Sequence, residues 1–329
     1  MPIAIAGSIA TDHLMTFAGR FADSLVVDQL DKISVSFLAE DLDIRRGGVA
    51  ANIAFGMANL GQRPVLVGAV GEDFADYRSW LERHGVDCDS VRVSETRHTA
   101  RFVCTTDEDM AQIATFYAGA MSEAREIELA PIAERVGGLD LVLVGPDDPD
   151  AMRRHTQECR DRGIPFVADP SQQLAFGGGD LVRDLIDGAE YLITNEYESH
   201  LTAQKTGWSQ DEINSRVGYR VTTLGKEGAR ITGRGLDEPI HVGAAREVTR
   251  ADPTGVGDAF RAGFLTGVAE GLPLRESAEL GSMLATYVIE TVGTQEYELG
   301  TARFLERLTE AYGAESAELI AGHIRCRRP

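Results

Sequence analysis

Strand-length runs recur along the second half of the chain, at 139–145, 165–169, 189–195 and 220–225, with helix-length segments between them. Apolar runs this short and continuous belong to strands buried on both faces, and strands alternating with helices pair in parallel. Residues 3–6 read the same way, as do 65–73 before a helix over about 74–84. From Leu274 the pattern is helical, over 276–292 and 302–312, and the basic end from Arg325 to Pro329 reads as a frayed tail. The expected fold class is α/β, a three-layer α/β/α sandwich around a mainly parallel sheet.

Open parallel sheets bind ligands outside the carboxyl ends of their strands. Several of those ends carry polar groups: Ser8 and Asp12 after the first strand, Asp169-Pro170-Ser171-Gln172-Gln173, Asn195 to Glu198, and Thr223 to Gly228. Asp12 suits either a turn or the hydroxyls of a vicinal diol. Two stretches break the rhythm. Residues 33–38 alternate like a strand with one wet face, and 99–116 alternate as a hairpin around Asp107-Glu108-Asp109. Together they predict a small sheet projecting from the main body, with Phe102 and Phe116 either in its core or lining its inner face.

One segment carries the chemistry, Asp252-Pro253-Thr254-Gly255-Val256-Gly257-Asp258-Ala259-Phe260. It is a glycine-rich turn opening into a helix of small and apolar residues. Free amides of a first helical turn, with the helix dipole behind them, make an anion site. Asp258 sits inside that site. It either favours the helix start or takes a proton from a hydroxyl while the amides steady a phosphoryl group. No Gly-Lys-Ser/Thr follows, so this is not a Walker A loop. A second glycine pair, Gly47-Gly48, opens a helix carrying Asn52 and closing at Gly61.

The formal charge of −20 argues against nucleic-acid binding by phosphate neutralisation, though not against a small phosphate ligand held by amides. No apolar run is long enough to span a membrane, and the N-terminus lacks a basic leader region. Cys88, Cys104, Cys159 and Cys326 are scattered without a C-x-x-C pair, which predicts reduced thiols in a cytoplasmic protein and no structural zinc.

The order of these pieces resembles the ribokinase-like (PfkB) carbohydrate kinases over nearly the whole chain. Gly47-Gly48 through Asn52 to Gly61 is similar to that family's first signature, and Asp252 through Asp258 to its second. Asn195 to Glu198 matches its N-x-x-E element, and Thr223-Leu224-Gly225 to Gly228 resembles its nucleotide loop. Two positions depart from the second signature: Pro253 stands where Thr is usual and Val256 where Ala is usual. Within the family, the wording of residues 7–15, 99–116 and 168–173 is most similar to adenosine kinases of the actinobacterial type.

The resemblance implies an enzyme of purine salvage, a phosphotransferase that uses ATP with Mg²⁺ to phosphorylate the 5′-hydroxyl of adenosine and give AMP. A monovalent cation such as K⁺ is left open. Asp258 would be the general base, and the backbone of Gly255, Val256 and Gly257 the anion hole. Asp12, Gly48 and Asn52 would grip the ribose with Ser8 and Ser36 nearby, Phe102 and Phe116 would sandwich the purine, and Gln172 or Gln173 would meet its edge. ATP would lie along Asn195, Thr223, Leu224, Gly225, Lys226, Gly228 and Gly257. Glu198 would act on the metal through water, or simply be a solvated carboxylate at a helix start. The large domain would comprise 1–11, 47–97 and 119–329, with 12–46 and 98–118 forming a discontinuous β-lid. Apolar lid residues Val35, Phe37, Leu38 and Val103 predict a homodimer joined through the lids. The rivals are another sugar or nucleoside kinase of the family, such as a ribokinase- or fructokinase-like enzyme, and a nucleoside sensor without turnover.

Overall fold

The computed structural model describes residues 1–24 and 34–326. Among them the strands run β1 (Ile3–Ala6), β2 (Ala10–Phe17), β3 (Ala39–Gly47), β4 (Val65–Val67), β5 (Ala69–Gly71), β6 (Arg92–Ser94), β7 (Ala100–Thr106) and β8 (Gln112–Tyr117). They continue as β9 (Leu141–Val144), β10 (Phe166–Ala168), β11 (Tyr191–Asn195), β12 (Tyr219–Thr223), β13 (Ala229–Gly233) and β14 (Ile240–Val242). The central sheet has the order β14-β13-β12-β11-β10-β9-β1-β4, parallel from β4 to β12 and antiparallel at β13 and β14.

Strand alternation divides the core in two. Ile3, Ile5, Leu141 and Leu143 face one helical layer, while Ala4, Ala6, Val142 and Val144 face the other. The first layer holds the helices Val49–Asn59, Val256–Ala269 and Leu274–Ile289. Small residues bring these helices close: a Cβ built on Gly56 would stand 2.6 Å from Ala262 Cβ, so the first two helices touch without intervening side chains. That contact fixes the start of one helix relative to the start of the other. The strand order turns back at β1, which has β4 on one side and β9 on the other. Such a switch point opens a crevice at the strands' carboxyl ends.

The second sheet has the order β3-β2-β7-β8, with β2 and β7 parallel and both outer pairs antiparallel. It is the lid. Its strands do not begin where alternation placed them: Ile33 lies outside the described residues, 34–38 are irregular, and β3 starts at Ala39. Phe37 there packs on Phe17 and Phe21, with ring centroids 4.9 and 4.8 Å away. The run 65–73 is two strands in two sheets, because Gly68 passes against the Gly7 carbonyl and β5 turns away to pair with β6. The expected helix over 276–292 occupies Leu274–Ile289, and a further helix, Ala314–Ala321, follows Gly313. The tail is held as far as Arg325, whose amide donates to the Leu60 carbonyl at 3.1 Å. No helix among the described residues is long and apolar enough to cross a membrane.

Candidate active site

The crevice at β1 widens into a cavity of about 670 Å³ between the main sheet and the lid. Ten of the expected residues line it: Ser8, Asp12, Gly48, Asn52, Phe102, Phe116, Gln172, Gln173, Gly255 and Asp258. Two glycines make its floor possible. Gly48 has φ 93°, and a Cβ there would meet the backbone of residues 8–10 at 2.6 Å. Gly255, at φ 75°, is the N-cap of the helix Val256–Ala269. The first i→i−4 bond of that helix runs from Ala259 to the Gly255 carbonyl at 2.9 Å, so the amides of Gly257 and Asp258 have no carbonyl within the helix to bond. Asp252 shapes the approach: its carboxylate accepts from Thr254 N at 2.9 Å and Gly293 N at 3.2 Å. Pro253 fits this turn, where no N–H is required of it.

Asp258 occupies the first turn of this helix, and Asn52 Nδ2 donates to its Oδ2 at 2.9 Å. Burial pushes the Asp258 carboxyl up to about 6, against the Asn52 hydrogen bond and the nearby Arg261. The orientation of Asn52 is dictated from behind. Trp80 Nε1, a donor only, points at Gln295 Oε1 at 3.1 Å. Gln295 must then turn its amide nitrogen toward Asn52 Oδ1 at 3.0 Å and Tyr77 Oη at 2.6 Å, while Tyr77 donates to the Gly47 carbonyl. Thr294 Oγ1 also reaches Asn52 Oδ1 at 2.9 Å. With its oxygen occupied, Asn52 can offer Asp258 only N–H. Sequence reasoning missed this chain, since its partners are more than 200 residues apart and none carries a motif.

Asp12 lies across the cavity, its carboxyl raised to about 6 by burial in spite of Arg45. Ser8 serves the fold as well: its Oγ accepts from Val49 N at 3.1 Å, at the start of the Asn52 helix. Phe102 and Phe116 are direct cross-strand partners on β7 and β8, so both rings leave the same face of the lid. Phe176, 83% exposed, also borders the cavity and had no sequence signal. Ser36 is not brought here: it is exposed in the irregular stretch 34–38, away from the lining residues. Ser171, next to Gln172, is a non-glycine residue at φ 42°, a strained conformation of the kind that gathers at binding sites.

The residues expected to meet a nucleotide lie beside the cavity rather than in it. Asn195 and Thr223 are register partners at the ends of β11 and β12. Leu224, Gly225, Lys226 and Gly228 form the tight turn that follows, closed by Leu224 N to the Gly228 carbonyl at 2.8 Å. Gly257 and Val256 sit at the adjoining helix start. Glu198 is engaged in a capping box with Asn195 and stands 4.0 Å from Arg261. Arg261, itself buried, pairs with buried Asp169 through two nitrogens and donates to the Gly257 carbonyl at 3.1 Å. Among the described residues no group of three His, Cys, Asp or Glu side chains could hold a metal ion. Cys88, Cys104 and Cys159 are buried and unpaired, and Cys326 is half-buried.

Comparison with known proteins gives this geometry a context. The profile of the pfkB family carbohydrate kinases matches residues 10–300. A nucleoside kinase of Methanothermobacter thermautotrophicus is 30% identical over 313 residues, covering 93% of this chain and 99% of its own. The structure of Burkholderia thailandensis nucleoside kinase in complex with inosine superposes with a TM-score of 0.82 at 35% identity, over 95% of this chain and 99% of the other. The same kinase in complex with ADP-inosine superposes with a TM-score of 0.80 at 37% identity, over 95% and 96%.

Proposed function

The chain belongs to the pfkB family of carbohydrate kinases and is a phosphotransferase with an alcohol acceptor, and we propose that its acceptor is the 5′-hydroxyl of a purine nucleoside, adenosine first. The observation that carries the reading is Asp258: a carboxylate at the floor of a nucleoside-sized cavity, in the first turn of a helix whose leading amides are unpaired within it. The hydroxyl oxygen attacks the γ-phosphorus of ATP, the bond to the β–γ bridging oxygen breaks, and ADP leaves. Asp258 takes the hydroxyl proton. The amides near Gly255, Val256 and Gly257 stabilise charge on the transferring group, a task of positioning and electrostatics.

Asp12 holds the ribose diol, and Phe102 with Phe116 stack against the base, where flat rings give area at small entropic cost. ATP lies along Asn195 and the turn from Thr223 to Gly228. Mg²⁺, which prefers water and phosphate oxygens, would depend mainly on the ATP phosphates for its ligands, and Glu198 would be the residue to meet its water shell. The lid sheet, β3-β2-β7-β8, is a unit distinct from the remaining domain. A 6-oxopurine nucleoside is the second candidate, favoured by the inosine complex of the Burkholderia kinase.

The test is ADP release with Mg-ATP and a panel of adenosine, inosine, guanosine, ribose and fructose. Turnover with purine nucleosides and not with free sugars supports the reading. Asp258→Asn is expected to lower kcat by about 10²–10⁴-fold with the fold intact. Undiminished turnover in that variant excludes the mechanism.

A further inference from the structure

Beyond the residues assigned so far, the cavity wall carries a carboxyl group with one oxygen left unpartnered. Asp147 lies past the end of β9, lines the cavity, and is only 2% exposed. Its backbone is clamped: the carbonyl accepts from Gln173 Nε2 at 2.8 Å and the amide points at Met152 Sδ at 3.4 Å. Its Oδ1 accepts from Asp148 N at 2.8 Å. Its Oδ2 is buried and has no partner. Leaving such an oxygen unpaired is costly, and a ligand able to bond it recovers that cost as affinity. Gln173, Gln172 and Phe176 border the same part of the cavity.

We propose that Asp147 is a specificity-determining residue that hydrogen-bonds the edge of the purine base, an inference that rests on the nucleoside kinase reading. Burial pushes the carboxyl up to about 8, against the hydrogen bond from the Asp148 amide and with a smaller contribution from the Asp148 charge, so the protonated form is favoured at neutral pH. A neutral carboxyl offers a donor and an acceptor side by side. That pair matches the amino group and ring nitrogen of a 6-aminopurine. By exchanging roles it also matches the N1–H and O6 of a 6-oxopurine. An ionised carboxylate could only accept, and an apolar side chain could do neither. The site therefore admits both purine types and disfavours a sugar lacking a base, because the orphan oxygen then stays unpaired.

The experiment measures KM and kcat for adenosine, inosine and D-ribose in the wild type, Asp147→Asn and Asp147→Leu. Asn retains the donor–acceptor pair; Leu removes it at similar volume. Expected is a rise of about 10–100-fold in nucleoside KM for the Leu variant, with kcat and the KM for ATP within about twofold, and near wild-type KM for the Asn variant. Unchanged nucleoside KM in the Leu variant overturns the proposal, as does an Asn variant equally impaired. A fall in kcat with KM unmoved assigns Asp147 a structural role and also overturns it. If the wild type turns over ribose and no nucleoside, the nucleoside reading itself fails, and this proposal with it. Purine riboside, which lacks the 6-substituent, should lose most of the difference between wild type and Leu variant; the full difference persisting would place the contact elsewhere and overturn the assignment.

Discussion

At the scale of residues, the site is a matter of which way one amide faces. Asp258 needs to be ionised to accept a proton, yet burial raises its carboxyl to about 6. The N–H of Asn52 opposes that shift, and the direction of Asn52 descends from Trp80 through Gln295. Two linked outcomes follow. The kcat/KM profile should show an acid limb with an apparent pKa near 6, activity falling about tenfold per pH unit below it as the base is protonated. Gln295→Leu should move that limb upward, because Asn52 is then free to turn its oxygen toward the carboxylate and the ionised form loses its donor. A limb that stays in place in the variant shows that the chain from Trp80 does not orient Asn52. Asp258 was legible in the sequence because a glycine-rich turn beside a helix start is local. Asp147 was not, because Asp147-Asp148-Pro149-Asp150 reads as a helix start. Asp148 is indeed the N-cap there, accepting from the amides of Asp150 and Ala151, which hides its neighbour's different task.

Among the elements, the helix Val256–Ala269 is fastened at its leading end by one buried ion pair. Arg261 reaches forward to the Gly257 carbonyl and outward to Asp169 beyond the end of β10. Removing one partner of such a pair strands the other. Arg261→Met should therefore destabilise the fold by about 3–5 kcal/mol, and adding Asp169→Leu should recover much of that loss. Thermal or urea unfolding of the single and double variants checks both. A single variant as stable as the wild type would show the pair to be dispensable. The parallel strands and their helices were readable from the sequence, since burial on both faces leaves an unmistakable apolar run. The antiparallel strands β13 and β14 were not: β13 is only partly buried, and the edge strand β14 has three residues. The alternation at 34–38 misled for the converse reason. Its pattern suits a strand, but Phe37 is drawn into a cluster with Phe17 and Phe21 and the ladder begins only at Ala39.

Over the whole molecule, the lid leaves apolar surface that neither core covers. Leu38 is 85% exposed, while Leu42 and Ile44 on the edge strand β3 are 56% and 57% exposed on a shared face. Of the residues expected from the sequence to make this surface, Leu38 is exposed, whereas Phe37 packs internally and Val35 and Val103 are half-buried. Among the described residues β3 ends the sheet with apolar side chains exposed, and we propose that a second copy pairs there through its own lid. Light scattering at micromolar concentration should give twice the chain mass, and Leu42→Glu with Ile44→Glu should halve it. A monomeric wild type would leave that edge without the role assigned to it.

The lid is not hung from a flexible tether. β2 leaves the body two residues after Ser8, and β3 returns at Gly47, directly ahead of the helix that carries Asn52. A displacement of the lid would therefore pull on the backbone that carries Asn52, the donor to Asp258. If Asp258 is the base proposed above, a nucleotide arriving at an unfilled cavity should find it poorly aimed, so that hydrolysis of ATP without acceptor should be slow beside transfer to a nucleoside.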